Sequence, residues 1–415
     1  MHNGDAGFRA DLHHAADIAG GDYIRADGGQ RGDLAPPKFG RDFGLQQVIG
    51  ARRATAQMAV GGFQHGETGA AQQILWRGGN ALAVLQRTGS MVADAQRRGK
   101  GEGLITAVDD VSFHLNPGEI LGLVGESGSG KSVTAKALMQ LNAANAVIGE
   151  HTKLLLNHKG AQVDITKLKK PKELLIARGG AISMIFQEPM ASFAPAITIG
   201  EQMVEQLRIH AKMTKAEARD ISIDMLNRVG ISEASKRFEQ YAFELSGGMR
   251  QRAMIAMALS TKPALLIADE PTTALDVTIQ AQVIDLMKDL VRDFGMAIIF
   301  ITHDLGVIAQ TADRVAVMYL GRIVETGPVR DVIRRPQHPY TIGLLNALPK
   351  LDDLDAPLTP VPGDIPSPLD RPSGCVFHTR CPQVIAGRCE GAVPSLHNVN
   401  DHHAVACFAT EVEPA

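Results

Sequence analysis

Apolar residues fall into short, ordered runs from Leu104 onward. Residues 105–108 and 111–115 read as short strands, and Asn116-Pro117-Gly118-Glu119 as a turn. Ile120–Val124 is an unbroken apolar run, as expected of a buried strand. A glycine-rich loop follows it, and then a helix from Lys131. Residues 182–186 read as a further strand, and most of residues 190–245 as helix, for example 216–229. A helix is expected over 249–259. Two more buried strands, 264–268 and 297–301, flank a helix over Val277–Phe294. Strands that alternate with helices predict a mostly parallel α/β core.

The first hundred residues read differently. They hold 18 of the 42 glycines and ten arginines but one glutamate, Glu67, and they show no sustained period. Residues 1–102 therefore read as a disordered extension, or as text produced by a misassigned start or an upstream frame shift. From Arg335 the chain turns proline-rich, with Pro349, Pro357, Pro360, Pro362, Pro366, Pro368 and Pro372, and reads as a linker.

The 415 residues are 45% hydrophobic with a formal net charge of -3, enough for two or three domains. No basic excess favours nucleic acid as a partner. The apolar runs fall far short of the roughly 20 residues of a membrane helix, and no signal-peptide core opens the chain. The expectation is a cytosolic protein, with any membrane role left to separate subunits. Cys375, Cys381, Cys389 and Cys407 all lie in the last 41 residues. Clustered thiols in such a protein point to metal or redox chemistry before disulfides.

Gly125-Glu126-Ser127-Gly128-Ser129-Gly130-Lys131-Ser132 has the G-x-x-x-x-G-K-S spacing of a phosphate loop between a strand and a helix. Its glycines let successive N–H groups wrap phosphates. Lys131 should reach the β- and γ-phosphates, and Ser132 should ligate Mg²⁺. The strand ending in Asp269 and Glu270 places two acids at the ligand edge of the sheet. Asp269 suits Mg²⁺ and Glu270 suits polarisation of an attacking water. Alone, these acids before Pro271 could instead cap a helix, the lesser of the two readings. Gln187, Asp276 and His303 are each weak signals, since such residues are more often caps or surface groups. Gln187 follows a strand, where it could meet Mg²⁺ and the water, and His303 ends one, where it could touch the γ-phosphate.

Ser246 can cap the helix that follows it, while Gly247 and Gly248 allow close backbone approach to a ligand at that helix's positive end. The octapeptide Leu245-Ser246-Gly247-Gly248-Met249-Arg250-Gln251-Arg252 resembles the signature loop of the ABC ATPases. The order of phosphate loop, Gln187, signature loop, Asp269-Glu270, Asp276 and His303 is also the order in that family. The resemblance implies an α/β fold, with a P-loop ABC ATPase domain over 103–330. That domain would comprise an antiparallel β subdomain, a RecA-like core and a helical subdomain at about 190–250, before a small cysteine-containing C-terminal extension over 331–415. It implies ATP with Mg²⁺ held by Ser132, Gln187 and Asp269, catalysis by Glu270 with His303 and Gln187, and a dimer-loop role for Asp276. Ser246, Gly247, Gly248 and Gln251 would serve the nucleotide of a second ATPase subunit in trans.

The segments around Gln187, around Asp269 and at Gln337-His338-Pro339-Tyr340-Thr341 resemble the ATP-binding subunits of peptide and nickel importers. That branch implies a homo- or heterodimeric ATPase pair on the cytoplasmic face of the bacterial inner membrane. Two transmembrane permease subunits would be its partners, with an extracytoplasmic solute-binding protein acting indirectly. The branch carries similar cysteines, which in part of it hold a [4Fe–4S] cluster. Four thiolates suit that cluster, tetrahedral zinc, or buried thiols without metal, with His378, His402 and His403 as substitute ligands. One departure stands out: residues 90–103 contain no aromatic, whereas the family stacks one on adenine there. A soluble ABC-type ATPase that moves no solute is the alternative, although such proteins carry a second cassette or long insertions absent here. A metal-sensing regulator would leave Glu270 unexplained.

Overall fold

The structure, a computed structural model, describes residues 83–86, 91–94, 104–143, 145–158, 160–188, 192–272, 276–348 and 360–411. Its centre is an eight-stranded sheet. Five parallel strands run in the order β12 (Arg314–Tyr319), β5 (Ile120–Val124), β11 (Ala297–Thr302), β10 (Leu265–Asp269) and β9 (Ile182–Ile185). β13 (Arg322–Pro328) returns antiparallel beside β12. β15 (His403–Val405) and β14 (His397–Asn400) then extend the same edge. The C-terminal extension is thus partly built into the core sheet.

The central strands are buried on both faces, which is why they read as unbroken apolar runs. Their side chains alternate between two cores. Ile120 and Val124 of β5, Leu266 and Ala268 of β10, and Ile298 and Phe300 of β11 meet Met203, Leu226, Ile255 and Met287 from the helices. Leu121 and Leu123, Leu265 and Ile267, and Ile299 and Ile301 face the other way, toward Leu138 and the β-strand residues Leu115, Leu154 and Leu156.

Helix ends follow local chemistry. The helix Val277–Phe294 starts where Asp276 accepts the Ile279 N–H and stops at Gly295, whose φ is 63°. The helices Ile199–His210 and Lys215–Arg228 begin at Thr198 and Thr214, whose hydroxyls accept the Glu201 and Glu217 N–H groups.

Two smaller antiparallel sheets complete the described structure. One has the order β4 (Phe113–Leu115), β1 (Ala83–Gln86), β7 (Lys153–His158), β8 (Ala161–Asp164), and the other β3 (Leu104–Val108), β2 (Met91–Asp94), β6 (Ala146–Val147). β1 and β2 fall in the segment where the sequence shows no period; four residues are too few to display one. Apart from β1 and β2, residues 1–102 lie outside the described residues. So does the missing aromatic of 90–103, apart from the backbone of β2.

Candidate functional site

The phosphate loop joins β5 to the helix Lys131–Leu138. Gly128 and Gly130 have φ of 82° and 100°, which side chains resist. A Cβ at Gly130 would lie 2.5 Å from the Ala107 carbonyl oxygen, and one at Gly125 would collide with that of Met318. Glycine is therefore required where the loop presses on β3 and on the end of β12. Lys131 is buried, and its Nζ donates to the carbonyls of Gly125 (2.7 Å) and Glu126 (2.9 Å). Burial lowers its pKa, while Glu270, Asp269 and Glu126 act the other way. The ammonium rests on loop carbonyls that phosphate oxygens can replace.

At the end of β10, Ser132 Oγ donates to Asp269 Oδ1 at 3.1 Å. Burial raises the Asp269 pKa, the Ser132 hydrogen bond lowers it, and Glu270 raises it further. A carboxylate so placed gains from a cation. The Ser132 hydroxyl, the Asp269 carboxylate and the Gln187 carboxamide oxygen form the hard-oxygen set that suits Mg²⁺.

Glu270 follows β10 with φ 48°, a left-handed conformation held by its N–H donating to the Ile301 carbonyl at 2.9 Å. Gln187 Nε2 donates to Glu270 Oε2 at 3.0 Å, and His303 Nδ1 lies 3.2 Å from Oε1. The ends of β9, β10 and β11 thus bring Gln187 and His303, weak signals apart, to Glu270. All three line one cleft with the phosphate loop.

Ser246 and Gly247 are exposed and Gly248 partly so, and none is among the residues lining that cleft. The Ser246 hydroxyl accepts the Met249 N–H at 3.3 Å and caps the helix Gly247–Ser260. Gln251 departs from the trans-facing set. It is 1% exposed, and its Nε2 donates to the Pro271 carbonyl at 2.6 Å. One helical turn past the exposed loop, it faces inward and ties that helix to the segment after Glu270. Asp276 is exposed and caps its own helix, the structural role its type favours.

The C-terminal extension supplies contacts that the sequence did not announce. Pro368 and Arg371, in the stretch expected to be a linker, line the cleft. Arg380, with a side chain 4% exposed, donates to Glu126 Oε2 at 2.8 Å and Oε1 at 3.2 Å. Burial works against its charge, but the Glu126 and Tyr319 hydrogen bonds outweigh burial and raise its pKa. Tyr340 Oη accepts the Glu126 N–H at 2.8 Å. Tyr319, Tyr340 and Phe377 pack with ring centroids 4.7 to 5.4 Å apart. Both the backbone and the side chain of the second phosphate-loop residue are therefore held by residues from beyond 330. A buried arginine beside a cysteine carries no local signal, since its partner lies 254 residues away.

Cys375, Cys389 and Cys407 are buried and Cys381 partly so; none is in a disulfide. Burial pushes the Cys375 thiol up to about 11, and the other three thiols add to the shift. Among the described residues, no three His, Cys, Asp or Glu side chains form a group able to hold a metal ion. His403, a candidate ligand, instead meets buried Glu325 at 2.7 Å, and His378 Nδ1 lies 2.9 Å from the Cys375 carbonyl.

Residues 108–273 match the ABC transporter family, and residues 324–389 match the oligopeptide/dipeptide transporter C-terminal region. A putative peptide import ATP-binding protein of Brucella ovis is 50% identical over 311 residues, covering 73% of this chain and 91% of its own. The oligopeptide transport ATP-binding protein OppD of Salmonella typhimurium is 51% identical, covering 74% and 89%. The dipeptide transport ATP-binding protein DppD of Bacillus subtilis is 47% identical, covering 74% and 90%. A dimeric ATP-binding cassette in a post-hydrolysis state with ADP and Pi superposes with a TM-score of 0.52 at 24% identity, covering 60% of this chain and 99% of that one, which shows the shared fold. The chain belongs to the ATP-binding subunits of ABC transporters, in the dipeptide/oligopeptide importer family.

Proposed function

We propose that this chain is the ATP-hydrolysing subunit of an importer for di- or oligopeptides. One observation carries the chemistry: the Glu270 carboxylate sits between Gln187 and His303 in the cleft of the phosphate loop. The 324–389 match and the peptide-import relatives support the solute class. No described helix is long and apolar enough to cross a membrane, which suits a peripheral subunit on the cytoplasmic face.

In this mechanism Lys131 leaves the loop carbonyls and pairs with the β- and γ-phosphates. Ser132, Asp269 and Gln187 would hold Mg²⁺, which when bound would supply positive charge against those phosphates. Glu270 orients a water and draws on its proton, and His303 contacts the γ-phosphate. Ser246, Gly247 and Gly248 close over ATP held by a second ATPase subunit, like or unlike this one. Closure passes to two permease subunits, which receive solute from an extracytoplasmic binding protein. The surface position of the signature loop supports its action in trans.

A [4Fe–4S] cluster, or zinc in its place, is a further proposal for the four-cysteine tail. It rests on the four thiols of the tail alone; since no described side chains form a metal-holding group, loading would have to draw those thiols together. Anaerobically purified protein should then show a visible cluster band that Cys381→Ser removes; colourless, zinc-free protein refutes both metals.

The test of the catalytic reading is Glu270→Gln. ATP binding should persist while turnover falls at least about 100-fold. Turnover like that of the unaltered chain removes Glu270 as base. Cells lacking the chain should lose uptake of a labelled tripeptide and regain it with the intact gene; unchanged uptake overturns the importer reading.

A further inference from the structure

The cleft has two ends. The phosphate loop, Gln187, Glu270 and His303 mark the end where phosphates and Mg²⁺ belong. The remaining described wall is formed by Ile105, Thr106, Ala107, Leu320, Pro368 and Arg371. It is mostly apolar, carries no aromatic ring among the described residues, and contains one cation. Arg371 Nη1 pairs with Asp109 Oδ2 at 2.9 Å, and Arg322 Nη2 reaches the same oxygen at 2.7 Å. Two guanidinium groups thus share one carboxylate, which leaves a positive charge unmatched within this trio. Arg371 Nη2 is buried and has no hydrogen-bond partner among the described residues. A buried donor without a partner is costly unless a ligand supplies one.

We propose that Arg371, carried by the C-terminal extension, binds the nucleoside of the ATP held at this chain's own phosphate loop. A guanidinium is planar and stacks on aromatic faces, and adenine offers such a face with nitrogen acceptors at its edge. The Asp109 pair fixes the plane of the group through Nη1, so that its face can meet the base. The apolar neighbours Ile105, Ala107, Leu320 and Pro368 suit the remaining face of a base. The extension is therefore part of the nucleotide pocket, as well as a support behind it.

This inference rests on the ATP-binding reading, and the test separates the two. Full-length chain is titrated with Mg-ATP and with magnesium tripolyphosphate. Arg371→Ala and Arg371→Lys are compared with the unaltered chain, and melting of the ligand-free proteins controls for folding. Lysine keeps the charge beside Asp109 but loses the plane. Both variants should bind ATP about tenfold more weakly and tripolyphosphate within about twofold of the unaltered chain. Equal losses for both ligands would make Arg371 a phosphate or structural residue, and unchanged ATP affinity would remove it from the pocket; either result overturns the proposal. Failure of the unaltered chain to bind ATP would instead overturn the functional reading beneath it.

Discussion

Arg380 and Glu126 form a forked ion pair, at 2.8 and 3.2 Å, between the cysteine tail and the second residue of the phosphate loop. Arg380 is also anchored to the carbonyls of Pro362 (2.8 Å) and Val361 (3.2 Å). A lysine could keep one contact but not the fork. Arg380→Lys should therefore destabilise the fold by about 1–3 kcal/mol and weaken ATP binding several-fold, with kcat at saturating ATP little changed. Melting curves and nucleotide titrations check this. A loss of kcat without loss of affinity would speak against a positioning role.

Gly130→Ala should abolish nucleotide binding. The position combines φ of 100° with a neighbouring carbonyl 2.5 Å from any Cβ. The backbone must shift, and with it the loop that holds the phosphates. Gly128→Ala is the comparison, since φ there is 82° but no atom lies within 4 Å of the added carbon. It should lose affinity by less, as strain alone costs on the order of 1–3 kcal/mol. Equal affinities for the two variants would refute the steric argument.

Gln187→Ala and His303→Ala each remove a side chain that holds Glu270. Each should lower kcat by about one to two orders of magnitude, at or below the roughly two to four orders that a general base itself contributes, with smaller changes in KM. Because both act through one carboxylate, combining either with Glu270→Gln should add little further loss. Additive losses in the double variants would show that they act elsewhere.

Stability should fall in mild acid. His338 is buried, and burial lowers its pKa to about 3 from 6.5. Burial lowers His210 to about 4. The folded values lie below the unfolded ones, so under pH 6.5 the unfolded chain takes up protons that the native chain refuses. Stability from both groups is complete above about pH 6.5 and is lost as pH falls, by up to about 1.4 kcal/mol per unit per group. Melting temperature should drop from pH 7 to pH 5. His338→Asn, which keeps an acceptor for the Tyr340 N–H now 3.1 Å from Nδ1, should flatten that slope. Identical slopes would exclude His338 as the source.

The parts legible in the sequence were those written locally. β5, β10 and β11 are buried on both faces and so appear as apolar runs. The helix Val277–Phe294 carries its own cap and stop at Asp276 and Gly295. The phosphate loop and the acids after β10 have fixed spacing because one turn of backbone must meet one ligand. The burial of Gln251 was not legible, because adjacency to the signature glycines does not reveal which face of the helix it occupies. Arg371, Arg380 and the β13–β15 pairing were illegible for a different reason. Each depends on a partner far along the chain, and neither period nor spacing reports such a partner. The prolines around Pro368 suggested a spacer, whereas the backbone they stiffen forms a wall of the cleft.

Synthesis runs from the N-terminus, and the tail's hold on Glu126 therefore sets a clock. The partners are 254 residues apart. At about 5–20 residues per second, the ribosome reaches Arg380 roughly 13–50 s after Glu126. Throughout that interval the nascent loop lacks its clamp; Arg371 is added only near its end, and β13 can pair with β15 only after it. A chain cut short before the tail would carry every nucleotide motif in its text and still lack the finished site. A stretch made long after the phosphate loop is what holds that loop's second residue.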